Sequence, residues 1–143
     1  EMCIRDSVET MPKAVYFKRA SRGGPNKSPE FSFMLLGWGA GSGEASSPLK
    51  ALLHTYDKSK GLGAANRGRH SDAEVDKLVK QALATVDADA RGALLAKATE
   101  KAVGENYGVI PMHYQVNTWA AKAGYKYLPR TDERTIVTGL SKN

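Results

Sequence analysis

A glycine-rich stretch around the first tryptophan holds the side chains best suited to contact a ligand. It reads GWGAGSGE, begins at position 37 and follows a short apolar run. The indole of Trp38 is a flat stacking surface, while Gly39 and Gly41 allow the backbone to come close to another group. Ser42 adds a hydroxyl that donates and accepts hydrogen bonds, and Glu44 adds a carboxylate. The stretch is therefore either a ligand-facing loop or a linker, and Trp38 is either a stacking surface or a core residue.

Nucleotide binding is not expected at this stretch. A dinucleotide-binding loop needs a third glycine or alanine at the position of Glu44, so that the following helix can pack closely. The carboxylate would also repel a pyrophosphate. The sequence contains no G-x-x-x-x-G-K-S/T pattern, which excludes a P-loop of that type.

A second glycine-rich loop places an amide beside a guanidinium. Asn66 and Arg67 follow three small residues and precede a further glycine. Together they are able to bind carbonyl groups or a carboxylate. The alternative for Arg67 is a surface salt bridge, which is the more frequent role of such a residue.

The histidines and the cysteine do not form a catalytic or metal-binding pattern. His54, His70 and His113 are far apart in the sequence, no H-x-x-x-H spacing occurs, and Cys3 has no second cysteine to pair with. No G-x-S-x-G motif is present. We therefore expect no metal, no cofactor and no enzymatic activity. A small α/β enzyme that uses Ser42 or His113 is the last-ranked alternative.

The chain is long enough to form a hydrophobic core, and its net charge makes its surface basic. The chain has 143 residues and a formal net charge of +6, and its basic residues are scattered along it. Scattered charges favour solvated surfaces over a nucleic-acid groove. A small basic protein that binds nucleic acid or a ribosomal partner remains the second interpretation. No apolar run approaches the length of a membrane span.

The pattern of apolar and turn residues predicts a mixture of strands and helices. Residues 1–7 resemble the translated sequencing-adapter peptide that begins some proteins from assembled sequence data, so we expect a non-native leader there. Thereafter a strand at 8–11, a helix from Pro12 and a strand at 31–36 predict a parallel βαβ unit.

Three helices and further strands are predicted beyond the first glycine-rich stretch. A short helix starts at Pro48, and a capping box of Ser71 and Glu74 starts the next helix. Asp87 caps a third helix, which Asn106 and Gly108 end. Strands are predicted at 109–119, 125–128 and 135–138.

Four stretches, taken in order, carry a resemblance to a known family. They are FSFMLLGWGAG, Asn66 followed by RGRHSDAEVDKLV, then ATVDADARGALLAKATE, and finally GVIPMHYQVNTWA. The chain resembles the C-terminal part of the solute-binding proteins of ABC importers, of the dipeptide, oligopeptide and nickel class called family 5. The resemblance extends over almost all of residues 8–140.

The resemblance implies a fold and a mechanism. The fold is the two-lobed α/β receptor of the periplasmic-binding-protein type (type II, cluster C), of which residues 8–143 are an incomplete lobe and a return segment. The receptor is a monomer in the periplasm or tethered outside the cell membrane. It captures a peptide-like solute without catalysis and delivers it to permease subunits, without nucleic acid. The signal peptide is expected to be missing through truncation, and the fragment is expected to be inactive alone.

The resemblance also implies ligand-binding residues. In the family, an acidic residue of the tryptophan motif anchors the amino group of the ligand, and Gly41 stands at that position here. Glu44 is the nearest acid and is the candidate to replace it from a different backbone position. The implied ligand-binding set is Trp38, Gly39, Gly41, Ser42, Glu44, Asn66 and Arg67.

Overall fold

A computed structural model describes residues 8–31 and 33–142, which form short helices, two short strands and long irregular segments. The predicted leader at residues 1–7, with Cys3, lies outside the described residues. The helices are α1 (Lys13–Arg22), α2 (Ser46–Pro48, continued by a π-helical turn at Leu49–Leu53), α3 (Ala73–Ala84) and α4 (Ala88–Thr99, continued by a π-helical turn at Glu100–Glu105). The strands are β1 (Tyr125–Tyr127) and β2 (Leu140–Lys142), and short 3-10 turns lie at Pro25–Lys27 and Val137–Gly139.

The core lies where α3 and α4 pack against each other and against α2 with its π-helical turn. Apolar residues at helical spacing put one stripe of each helix inside, as the sequence predicts. Val75 and Val79 of α3 are completely buried. The remaining members of the buried cluster are Leu49, Leu53, Ala82, Leu95, Ala98 and Ala102.

The caps of α3 and α4 set where these two helices begin. Asp87 caps α4 as predicted, because its carboxylate accepts the backbone N–H of Ala90 at 2.8 Å. The predicted capping box at Ser71 is wrong. Asp72 caps α3 instead, accepting the N–H of Glu74 at 2.8 Å and of Val75 at 2.9 Å. A carboxylate one residue later in the chain satisfies these free amides more strongly than the hydroxyl of Ser71 would.

The ends of two helices are wider π-helical turns. The N–H of His54 donates to the carbonyl of Leu49 at 2.9 Å, and the N–H of Asn106 donates to that of Lys101 at 3.0 Å. Gly108 then turns the chain beside the core. A Cβ atom at Gly108 would lie 2.6 Å from Leu53 Cδ2, so only glycine fits there without movement. The predicted helix end at Asn106 and Gly108 is confirmed.

The amino-terminal strands that the sequence predicts are not formed among the described residues. Helix α1 begins after Pro12 as expected, but residues 8–11, 31 and 33–36 are irregular. The hydroxyl of Tyr16 donates to the carbonyl of Leu35 at 2.7 Å, and the ring of Tyr16 stacks on Phe31 with the centroids 5.7 Å apart. The segment therefore lies against α1, and within residues 8–31 and 33–142 no neighbouring strand completes a sheet, so the βαβ unit is not formed there.

The carboxyl-terminal strands are only partly as predicted. Residues 109–119 are irregular rather than a strand, while β1 confirms the prediction at 125–128. Strand β1 pairs antiparallel with β2, with Tyr125 opposite Lys142. The predicted strand at 135–138 is wrong, because the second strand lies at 140–142. The two-lobed α/β architecture stays a prediction.

Membrane crossing by a helix finds no support in the described ranges. Within residues 8–31 and 33–142, no helix is both long enough and apolar enough to span a bilayer.

Candidate functional site

The loop at residues 37–43, which we call the Trp38 loop, is open to solvent. The Trp38 side chain is 44% exposed, and a Cβ atom built on Gly39 or Gly41 would meet no atom within 4 Å. The N–H of Gly43 donates to the carbonyl of Ala40 at 2.9 Å, and the φ of Gly43 is 75°, so a tight turn closes the loop. The indole and the backbone around it are therefore accessible to a ligand.

An ion pair fastens the carboxyl-terminal end of the Trp38 loop to α4. Arg91 binds Glu44 with both arms of its guanidinium, and the Nε–Oε2 distance is 2.9 Å. The hydroxyl of Ser46 also donates to this carboxylate. Hydrogen bonds from Arg91, and then from Ser46, hold the pKa of Glu44 below its usual range. A ligand amine would have to compete with Arg91 for Glu44, which favours a structural role for Glu44 in holding the loop to α4 over a role in binding the amine.

Asn66 is buried and joins three parts of the chain. Its Nδ2 donates to the carbonyl of His54 at 3.0 Å and to that of His70 at 2.7 Å. Its Oδ1 accepts the N–H of His70 at 3.0 Å. Because both ends of the amide are occupied, the geometry gives Asn66 a structural role in closing its loop.

Arg67 bridges its loop to α1. Its Nε donates to the hydroxyl of Ser21 at 3.2 Å, and its guanidinium carbon lies 5.5 Å from the centre of the Phe17 ring. One terminal nitrogen donates to the carbonyl of Ala65 at 3.3 Å. The predicted surface salt bridge is replaced by this set of contacts among the described residues.

The seven predicted binding residues form two groups. Trp38, Gly39, Gly41, Ser42 and Glu44 share one loop, and Asn66 and Arg67 share the other. Among the described residues, no hydrogen bond or ion pair joins residues 37–44 to Asn66 or Arg67. Their role in binding a solute stays a prediction, and the first group has the more accessible geometry.

The two residues considered for catalysis have no polar side-chain partner in the described part of the chain. Ser42 and His113 are exposed, and neither forms a side-chain hydrogen bond within residues 33–142. Within the same described part of the chain, no cluster of three metal-binding side chains occurs.

His54 is buried, which agrees with a core role rather than a metal-binding one. The Nδ1 of His54 lies 2.8 Å from the carbonyl of Thr55 and 3.2 Å from a carboxylate oxygen of Asp76. Its Nε2 is buried without a hydrogen-bond partner among the described residues. The His54 ring therefore connects the end of the π-helical turn at Leu49–Leu53 to Asp76 of α3.

Sequence reasoning missed a pocket near the carboxyl terminus. Its volume is about 430 Å³, and aromatic and aliphatic side chains line it. The alternation of Tyr125 and Tyr127 with basic residues is the available signal, and such a pattern is more typical of structural aromatics than of a binding site. Thr135 and Leu140 complete the walls, but their distance in sequence hides the grouping.

The chain was compared with protein-family models, with curated proteins and with solved structures, and none of the three comparisons found a match.

Proposed function

We propose that the chain is the carboxyl-terminal part of an extracytoplasmic solute-binding subunit of an ABC importer. It captures a peptide or another small solute and delivers it to the permease, without catalysis. The solute binds at the Trp38 loop, where Trp38 supplies a stacking surface and the glycine backbone supplies hydrogen bonds. Domain closure around the solute is the mechanism of capture.

The observation that carries the proposal is the meeting of two stretches that resemble the family. The Trp38 loop begins at Gly37, and a Cβ atom there would lie 3.7 Å from Gln115 Oε1. The side chain of Gln115, in the stretch that also holds Ile110 and Pro111, therefore reaches the start of the loop, although more than seventy residues separate Gly37 from Gln115. A binding cleft requires such a convergence of distant segments.

Exposed apolar side chains on these two segments also support the proposal. Phe33 and Leu35 precede the loop, and Met112, Tyr114 and Val116 follow the Ile-Pro pair, and all of them are exposed. Large apolar side chains exposed along two segments are typical of a surface that another part of a protein covers. In the proposed receptor, the rest of the protein covers these side chains.

The position of the amine anchor is the place where the chain departs from the family. No carboxylate stands at Gly41, and the nearest one, Glu44, is paired with Arg91. The solute class therefore extends from peptides to other amines, sugars and metal chelates.

The test is a thermal-shift experiment on the protein encoded by the full reading frame that contains these codons. The panel consists of dipeptides, oligopeptides, amines, sugars and nickel chelates. A solute at one hundred times its dissociation constant stabilises the receptor by about 2.7 kcal/mol, which raises the melting temperature measurably. Trp38→Ala should remove the rise, whereas Tyr56→Ala should retain it, since Tyr56 is an equally exposed aromatic, at 43%, outside the Trp38 loop.

A flat panel would contradict the proposal. If the same protein then bound RNA or DNA with an affinity that fell steeply with salt, the basic nucleic-acid-binding interpretation would replace it. A rise that survives Trp38→Ala would keep the receptor function and remove the Trp38 loop from the binding site.

A further inference from the structure

Hydrogen bonds and ring packing hold two walls of the pocket near the carboxyl terminus. The indole Nε1 of Trp119 donates to the hydroxyl of Thr135 at 3.0 Å. The hydroxyl of Tyr127 accepts the N–H of Ile136 at 3.0 Å and donates to the carbonyl of Arg134 at 3.2 Å. The rings of Trp119 and Tyr127 pack with their centroids 5.8 Å apart. Because their polar atoms are satisfied, both rings present apolar faces in a fixed orientation.

The rest of the lining is apolar but remains in contact with water. Tyr125, Ile136 and Leu140 line the pocket and are all partly exposed. The pocket volume of about 430 Å³ falls within the range of small-molecule sites. Water in such a pocket is poorly held, so an apolar group of matching size gains free energy by replacing it.

The charge of the residues that line the pocket favours a negatively charged ligand. Lys122 lines the pocket, and no acidic residue does. Within the described residues, Lys122 forms no ion pair, whereas Arg130 nearby in the chain is paired with Asp132. A ligand with an apolar ring and one negative charge would therefore place its ring on the aromatic walls and its charge at Lys122.

We propose that this pocket is a binding site for a small aromatic carboxylate. The ring lies against Trp119, Tyr125 and Tyr127, and the carboxylate accepts hydrogen bonds from the ammonium group of Lys122. The site is separate from the Trp38 loop, and the proposal does not rest on the transport function.

The test uses the chain itself and hydrocinnamate as the probe. The chain contains two tryptophans, so a nitrogen–proton correlation spectrum shows two indole Nε1–H signals. Addition of millimolar hydrocinnamate should move the Trp119 signal to saturation and leave the Trp38 signal in place. Hydrocinnamamide has the same shape without the charge, and it should bind about two- to five-fold more weakly, the range of an exposed ion pair.

Two matched lysine variants separate a specific contact from general attraction. Lys122→Gln should make the chain bind hydrocinnamate and hydrocinnamamide equally well. Lys126→Gln removes the same charge from a residue of β1 that does not line the pocket, and it should leave the preference for the anion unchanged. Tyr125→Ala should weaken both probes, with the circular dichroism spectrum as the check on folding.

Several results would overturn the site. They are an unmoved Trp119 signal, saturation that is equal for the anion and the amide in the unaltered chain, and equal effects of the two lysine variants. If oligopeptides with aromatic side chains moved the Trp119 signal at much lower concentration than hydrocinnamate, a peptide would replace the aromatic carboxylate as the occupant. A shift of the Trp38 signal alone would locate binding in the Trp38 loop, which keeps this test distinct from that of the transport function.

Discussion

Two regions of this molecule bury their apolar side chains to different extents. In the helical region, residues 46–108, the apolar stripes of three helices face one another and Val75 and Val79 are completely buried. In the second region, formed by residues 33–40 and 109–142, most large apolar side chains remain exposed. Tyr114 is the extreme case, at 99%.

The difference follows from how each region satisfies its backbone. A helix pairs its own N–H and C=O groups, so a few packed helices are complete. An extended segment needs a neighbour, and residues 109–121 form no backbone-to-backbone hydrogen bond with the described part of the chain. The helical region therefore satisfies its own backbone, whereas residues 109–121 have no backbone partner in the described part of the chain, as expected if the rest of the proposed receptor covers them.

The largest expected difference between the two regions is in the free energy of unfolding that is lost when a leucine is removed from each. Leu53→Ala removes a side chain that is 3% exposed and should lower the free energy of unfolding by about 2–5 kcal/mol. Leu128→Ala removes one that is 74% exposed and should change it by less than about 0.5 kcal/mol. Urea unfolding measures both values, and equal losses would contradict the division into two regions.

Replacing one asparagine in each region compares how much their side-chain hydrogen bonds contribute to stability. Asn66→Ala leaves the carbonyl of His54 and both backbone groups of His70 without their partner, so we expect a loss of about 1–3 kcal/mol. Asn117→Ala removes only an exposed contact with Gln115 and should be nearly neutral. Thermal unfolding compares them. A stable Asn66→Ala protein would remove the structural role and restore the predicted binding role.

Two glycines extend the same comparison to packing. Gly108→Ala puts a methyl group 2.6 Å from Leu53 Cδ2 and 3.0 Å from the carbonyl of Ala102, so overpacking should cost about 1–3 kcal/mol. Gly39→Ala meets open space and should change stability by less than about 0.5 kcal/mol. The denaturant midpoints of the two variants measure both changes in stability. A strong effect of Gly39→Ala would mean that the Trp38 loop is packed rather than open.

The smallest expected effects come from two ion pairs and their pH dependence. The pKa of Glu44 is held low by Arg91, so its contribution to stability is present at neutral pH and is lost as the pH falls through the folded-state pKa. Glu44→Gln should therefore lower the melting temperature at neutral pH, and this difference should disappear well below about pH 4.3.

A carboxylate of the second region is the matched control. Arg130 lowers the pKa of Asp132 to about 2, but the pair joins residues two apart outside the helical core. Asp132→Asn should leave the main unfolding transition in place at neutral pH. A larger shift for Asp132→Asn than for Glu44→Gln would place the second region within the cooperative core.

The sequence predicted the helical region well because its signals are local. The apolar spacing of α3, the cap at Asp87 and the helix end at Asn106 depend only on residues within a few turns. The choice of Asp72 over Ser71 as a cap was missed because both side chains are able to fill that role.

The strands and the site were harder to predict because they depend on partners that are distant in sequence. The apolar run at 31–36 has the composition of a strand, but Tyr16 holds the carbonyl of Leu35 against α1. Glu44 was recognised as a nearby acid, and only the fold brings Arg91 to it from forty-seven residues away. The pocket around Trp119 was missed for the same reason.

The most direct test of the central claim is hydrogen exchange at residues 109–121, measured in this chain and in the protein of the full reading frame. The account predicts fast exchange in this chain and marked protection in the longer protein, where the rest of the receptor covers these residues. The α3 and α4 amides should be protected in both proteins. Equally fast exchange of residues 109–121 in both proteins would contradict the claim that the rest of a larger receptor covers this region.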